Sequence, residues 1–378
     1  MKSLKVFNSF GTRLLFVVVF LITSVAGFTS PVAAAEPQNS SGAVYTLTNN
    51  ASENAVLVYD RSANGSLVFQ GSFSTGGLGS GSGLGSQGSV ALSDNNKWLF
   101  TVNAGSNQIS VFAVKEHGIK LVNVVDSGGM MPISLTAHDE LLYVLNAGGS
   151  GNISGFEIGH KGELTPLAGS TQPLSNGGVG AAPGPAQVSF GSDGGTLAVT
   201  EKATNLIDTY KVEDGIAGAP VTHPSSGATP FGFGFDRHDH MIVSEAFGGA
   251  VGASALSSYF VHEDEFDLIS PSVATTQTAA CWIAISKNGK YAYTTNAGSA
   301  SISSYEIGKD GSLTLLNPTA GSTAASPVDM SFSNNGKFLY ALSSGGHVVN
   351  IFQMSANGSL ASLGSVSVPA GVVGLAAR

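Results

Sequence analysis

Cysteine occurs once in the 378 residues, at Cys281, which excludes an internal disulfide framework and a cysteine-based zinc site. Charged residues make up only 11% of the chain, too few for a disordered segment or a coiled coil of this length. The sixteen Lys and Arg are scattered, so the basic stripe of a nucleic-acid binder is missing. Beyond residue 42 no stretch keeps a helical apolar period of useful length. The apolar run of residues 14–22 falls short of the roughly 20 residues that a membrane span requires. What abounds is glycine, 50 residues, beside 20 Phe and nine Tyr. That mixture points to many short strands and tight turns.

The N-terminus reads as a secretory signal peptide. Lys2, Lys5 and Arg13 precede the apolar run, and small residues end in Ala33, Ala34 and Ala35. Cleavage after Ala35 removes three positive charges and no negative one. The net charge of −9 then becomes −9 − 3 = −12. Residues 36–42 read as a flexible linker, and the chain from 43 to 378 as one folded unit. The product is expected outside the cytoplasm, as a monomer that meets a small-molecule ligand, with no membrane span and no nucleic-acid partner.

A four-residue segment with an apolar first and an aromatic last residue recurs seven times. Its aromatics are Tyr59, Phe112, Phe156, Tyr210, Tyr259, Tyr305 and Phe352. A strand and a small-residue turn precede each copy. A Gly-containing turn, another strand, a variable loop and a further strand follow it. Four short antiparallel strands repeated seven times predict an all-β fold, a seven-bladed β-propeller of four-stranded antiparallel blades. The chain starts in mid-blade, with residues 43–47 matching a second strand. The missing inner strand must then come from residues 372–377, which close the ring and remove exposed sheet edges.

In this register the inner strands start, and the second strands end, on one face. The loops 76–87, 170–184 and 271–280 open there too. Convergent loops on a concave face are the usual ligand site. The position closing the second strand reads Thr48, Asn103, Asn146, Glu201, Glu245, Asn296 and Ser343. The residue after it is mostly Ala but is Lys202 in one repeat. The third inner-strand position reads Ser89, Ser134, Gln187, Gly232, Trp282, Asp329 and Gly374. Glu201, Glu245, Lys202, Gln187, Trp282 and Asp329 are therefore expected around one channel mouth. The glutamates would serve acid–base work and Lys202 would supply a cation. Asn103, Asn146 and Asn296 would add polar contacts to the ligand, although Asn also suits the turn that follows. The competing reading has these groups filling a wet channel and pairing with one another, Glu201 with Lys202. No cofactor is called for, although the carboxylates and asparagines of one mouth make a Ca²⁺ site conceivable.

Other signals are weaker. Gly83, Gly85 and Gly88 fit G-x-G-x-x-G but lead into a strand, so no helix N-terminus awaits a phosphate. This run reads as a mobile loop over the mouth. His238, Asp239 and His240 fall in a solvated turn on the opposite face, without zinc spacing. Cys281 reads as a small buried apolar residue.

The repeat resembles the lactonase-type seven-bladed propellers, which include bacterial 6-phosphogluconolactonases and fungal carboxymuconate lactonising enzymes. The carrying residues are the Tyr-x-x-Asn-Ala-Gly-Ser strand ending in Asn296 to Ser299 and the Asp310-Gly311-Ser312 turn. Gly184-Pro185-Ala186-Gln187 and Thr200-Glu201 add to them. The family has Gly-Pro-Arg-His where Gly184 to Gln187 stand, so its Arg and His for an anionic substrate are absent. The resemblance implies a lactonase-like enzyme that opens or forms a cyclic ester, as hydrolase or cycloisomerase. The alternative is a non-catalytic binding or scaffold propeller.

Overall fold

The computed structural model describes residues 41–378, residue 264 excepted. The expected signal peptide, and the linker up to residue 40, lie outside the described residues. Seven antiparallel sheets follow one another in a ring, as the repeats predict. Blade one pairs Val373–Ala377, Gly42–Leu47, Ala55–Arg61 and Leu67–Ser74, from inner to outer strand. Blade two is Val90–Leu92, Trp98–Asn103, Gln108–Val114 and Ile119–Asp126. Blade three is Pro132–His138, Leu141–Asn146 and Asn152–Ile158, with its outer strand broken into Leu164–Pro166 and Gln172–Pro173. Blade four is Pro185–Phe190, Thr196–Glu201 and Leu206–Glu213, edged by Ile216–Ala217 and Val221–Pro224. Blade five is Pro230–Phe235, His240–Glu245, Ala255–His262 and Glu265–Ala274. Blade six is Ala280–Ile285, Tyr291–Asn296, Ser301–Ile307 and Leu313–Ser322. Blade seven is Pro327–Phe332, Phe338–Ser343, Val348–Met354 and Leu360–Ser367. Among the described residues the single helical element is a short turn, Phe247–Gly249. None is a helix long and apolar enough to cross a membrane.

Blade stacking explains why the inner three strands are largely buried and the outer one largely exposed. Thr196–Glu201, for example, is buried along its whole length, since both faces of a blade meet a neighbour. Leu360–Ser367 is mostly exposed. Buried tyrosines lock successive blades. The hydroxyls of Tyr143, Tyr293 and Tyr340 donate to the carbonyls of Gly215, Gly358 and Gly65 in the next blade's outer hairpin. Those glycines have φ between +78° and +88°, a turn conformation that a Cβ would strain. On the lower face one turn recurs. The Oγ of Ser93, Ser286 and Ser333 accepts the N–H of Trp98, Tyr291 and Phe338, five residues on.

Blade one is built from both parts of the chain. Val44, Tyr45 and Leu47 pair with Ala377, Ala376 and Val373. The expected closure is thus observed, with one boundary shifted. Gly42, assigned to the linker, already belongs to the second strand.

Candidate functional site

On the upper face, where inner strands begin, the link between blades one and two enters the channel mouth. Its first half is pinned to the blade-one hairpin, with Gly79 and Gly81 N–H donating to the carbonyls of Asn50 and Asn49. Residues 83–88 then form a plug. Ser86 Oγ donates to Ile133 O in blade three (2.8 Å), and Ser86 O accepts Trp282 Nε1 from blade six (3.0 Å). Gln87 N–H reaches Ala186 O in blade four (3.3 Å). Its side-chain amide meets both backbone groups of Ile283 in blade six, Nε2 to O at 2.8 Å and N to Oε1 at 3.1 Å. The glycine-rich run expected as a mobile loop is instead a pinned segment touching several blades. Of its glycines, Gly88 has a left-handed φ of +82° and lies close against Ser134 and Leu135, whereas Gly83 faces open space.

The third inner-strand position turns out to join blades. Ser134 Oγ accepts Val188 N–H from the next blade (3.2 Å). The Gln187 amide accepts Phe233 N–H (2.8 Å) and donates to Phe233 O (2.9 Å). Asp329 Oδ2 accepts Leu375 N–H (3.0 Å) across the closure, and Oδ1 accepts Met330 N–H (2.8 Å). Burial pushes the Asp329 carboxyl up to about 8 against these bonds. Gln187 and Asp329 therefore tether blades, and their hydrogen-bonding atoms are taken by backbone.

Lys202 and Trp282 do come together at the plug. Lys202 Nζ donates to Gly85 O and lies 4.7 Å from the centroid of Phe231. Phe231 in turn packs against Trp282, with centroids 4.9 Å apart. Burial lowers the Lys202 ammonium to about 8. Cys281, buried beside Trp282, is pushed up to about 12 by desolvation, which leaves it an inert thiol. A cavity of about 470 Å³ opens on the other side of the plug. Leu84, Ser86, Trp282, Val328, Ser344 and Val372 are among its walls, and no lining side chain is ionisable. The surrounding loops share this neutrality. Segments 75–89, 167–184, 246–254 and 274–280 hold no Asp, Glu, Lys or Arg.

Glu201 and Glu245 do not join this cluster. Each points into its own blade. Glu201 accepts the N–H and Oγ of Ser175 (3.0 and 2.6 Å) and Thr204 Oγ1 (2.6 Å). Glu245 accepts Gly227 N–H (2.8 Å), Ser272 Oγ (2.7 Å) and Ser257 Oγ. Both are fully buried. Asn103, Asn146 and Asn296 share that placement, with no exposed surface. Asn103 Nδ2 donates to Ser110 Oγ (2.7 Å) and Asn296 Nδ2 to Ser303 Oγ (2.9 Å), both on the adjacent third strand. The expected convergence of carboxylates, lysine and asparagines on one mouth is therefore corrected. With the acids apart, the oxygen set imagined for Ca²⁺ is not assembled, and Lys202 turns to the plug rather than to Glu201.

The pairing behind this was present in the sequence. Where the second strand closes on Asn103, Glu201, Glu245, Asn296 or Ser343, the third strand carries Ser110, Asp208, Ser257, Ser303 or Asn350 two residues beyond the register partner. A polar residue in both strands signals a bond inside the blade. In blade four the pair is two carboxyls. Desolvation, then the neighbouring Glu201, holds the Asp208 carboxyl up at about 8. Its Oδ2 has no hydroxyl or N–H partner, while Oδ1 accepts Thr222 Oγ1 (2.8 Å). A proton kept on Asp208 gives it a donor for the neighbouring Glu201. Because the folded pKa lies above the unfolded one, the stabilisation is complete below about pH 4. It is lost as pH rises towards 8. Asp329 and Glu245, also raised by desolvation, act in the same direction. The melting temperature should thus fall by a few degrees between pH 6 and pH 9. Asp208→Asn, whose amide still donates to Glu201, should flatten that fall, as thermal scans across pH would check.

The profile of the "Lactonase, 7-bladed beta-propeller" family matches residues 37–175 and 252–374. The interval between them holds Gln187, Lys202 and Phe231. No curated protein matches the chain. Among solved structures, a putative 6-phosphogluconolactonase of Bacteroides fragilis is similar over 91% of this chain and all of its own (TM-score 0.69, 18% identity). A second putative 6-phosphogluconolactonase, of Bacteroides uniformis, covers 89% of this chain and 99% of its own (TM-score 0.70, 17% identity). The periplasmic gluconolactonase PpgL of Pseudomonas aeruginosa covers 87% and 98% (TM-score 0.66, 15% identity).

Proposed function

Since the chain belongs to the lactonase family of seven-bladed β-propellers, we propose that it opens an uncharged lactone at the plugged mouth. The observation that carries this reading is the cavity beside Trp282, which no charged side chain lines. A phosphorylated or carboxylated ring would find no counter-charge there, whereas a neutral cyclic ester fits its volume and apolar walls. The relatives' names supply the ester chemistry. Lys202 is an ionisable group at the plug, bonded to Gly85 as Asp329 is to Gly88. With its ammonium lowered to about 8, a large fraction of neutral amine is present at mildly alkaline pH. Lys202 stands outside the cavity and touches its wall at Gly85, so we place its amine, once freed from Gly85 O, as the group that takes a proton from water as the oxygen adds to the carbonyl. The ring oxygen leaves with the returned proton, giving the hydroxy acid.

Assaying the purified protein against a panel of neutral lactones tests this. Above the spontaneous rate, turnover should rise through about pH 8. Lys202→Met should lower it by roughly 10²–10⁴-fold and remove that pH limb. Binding of the same lactones, unaffected by Lys202→Met and without turnover at any pH, would instead establish a binding propeller. We further propose that the protein acts as a monomer outside the cytoplasmic membrane. N-terminal sequencing should find a start near Glu36, and an intact Met1 in a soluble cytosolic fraction would refute export.

A further inference from the structure

Blade five has no tether from its inner strand, although Ser244 Oγ on its second strand donates to Cys281 O of blade six (2.7 Å). At the third inner-strand position, where blade four uses Gln187 and blade seven Asp329, it has Gly232. A Cβ there would stand 2.7 Å from Cys281 O and 2.9 Å from Trp282 Cα, so the approach of blade six leaves no room for a side chain. The Gln87 side chain occupies the space beside Gly232 instead. Its amide bonds both backbone groups of Ile283, as the Gln187 amide bonds both of Phe233 one blade earlier. A carboxamide carries a donor and an acceptor side by side at any pH, so it can match a strand's N–H and C=O together. Ile283 follows Trp282, whose indole N–H is held by Ser86, the plug residue before Gln87.

We infer that Gln87 is a positioning residue for Trp282 and the mouth cavity, supplying from the plug the bidentate tether that blade five's inner strand cannot carry at Gly232. Seating the plug and setting the indole wall of the cavity are then one event. The consequence for ligand affinity rests on the reading of that cavity as the lactone site; the consequence for Trp282 does not.

The test uses the full protein in a Trp98→Phe background, so that fluorescence reports Trp282 alone. Gln87→Ala and Gln87→Met should make Trp282 several-fold more accessible to acrylamide and red-shift its emission. Gln87→Glu, which keeps the acceptor for Ile283 N–H, should lie between them and the parent. With a lactone found active in the panel, KM should rise about tenfold while kcat changes less than about threefold, the pattern of lost positioning for binding. Lowered melting temperature with unchanged Trp282 quenching and KM would mean that Gln87 is merely structural, and would overturn the inference. If no lactone is turned over, the quenching result still decides the role of Gln87.

Discussion

Removing residues 369–378 should leave the protein insoluble or molten. The deletion strips the inner strand from blade one and bares the edge of Gly42–Leu47, whose side chains are all buried. Val372, Val373 and Leu375, each no more than 9% exposed, are lost from the core at roughly 1.5–3 kcal/mol apiece. Asp329 also loses the Leu375 N–H, leaving a buried carboxyl short of a donor. Together these losses rival the 5–15 kcal/mol by which a domain is typically stable. Binding of a hydrophobic dye and a broadened thermal transition should accompany whatever stays in solution. A soluble truncation with an unchanged melting temperature would contradict closure of the ring.

Glu245→Asn should be strongly destabilising yet leave turnover per folded molecule intact. The register alone suggests the opposite, because three blades tolerate Asn at this position. Those asparagines donate through their amide, Asn103 Nδ2 to Ser110 Oγ while its Oδ1 accepts Thr75 Oγ1, and Asn146 Nδ2 to Ser127 O. Glu245 is instead an acceptor at both oxygens, for Gly227 N–H, Ser257 Oγ and Ser272 Oγ. Asparagine still meets Ser257 but leaves the other two donors unpaired, at a cost of about 2–4 kcal/mol. Glu201→Asn, which gives up Ser175 and Thr204, should behave alike. Chemical denaturation with a lactone assay on the same samples separates the outcomes. A stable Glu245→Asn protein with abolished turnover would return the glutamate to the reaction.

Repetition is what made the fold legible. Seven aromatics in equivalent places state the blade number, and an N-terminal segment matching a second strand announces where the ring closes. Side-chain direction was legible only in part. Gln187, Trp282 and Asp329 were found because they break a pattern of small residues, but a polar group aimed at a neighbouring backbone looks in sequence like one aimed at a ligand. Glu201 and Glu245 were misplaced because the second strand was read without its partner. Asp208 and Ser257, in the facing strand, mark the bond inside the blade. Gln87 was invisible for a different reason. Its role depends on how closely blades five and six approach at Gly232, which no local pattern encodes.

Thr46 bonds the carbonyl of Val373, 327 residues away. Bringing two points that far apart together costs about 5 kcal/mol of chain entropy. The other six blades draw their strands from one continuous segment and can form as the chain emerges, but blade one waits for Val373–Ala377. Until then it offers an unpaired strand edge, and Asp329 lacks its donor from Leu375. A newly made molecule is therefore most prone to stick to its neighbours after six blades have formed and before the seventh is sealed. Slow passage through that interval, rather than weakness of the finished ring, should limit how much protein a cell can accumulate.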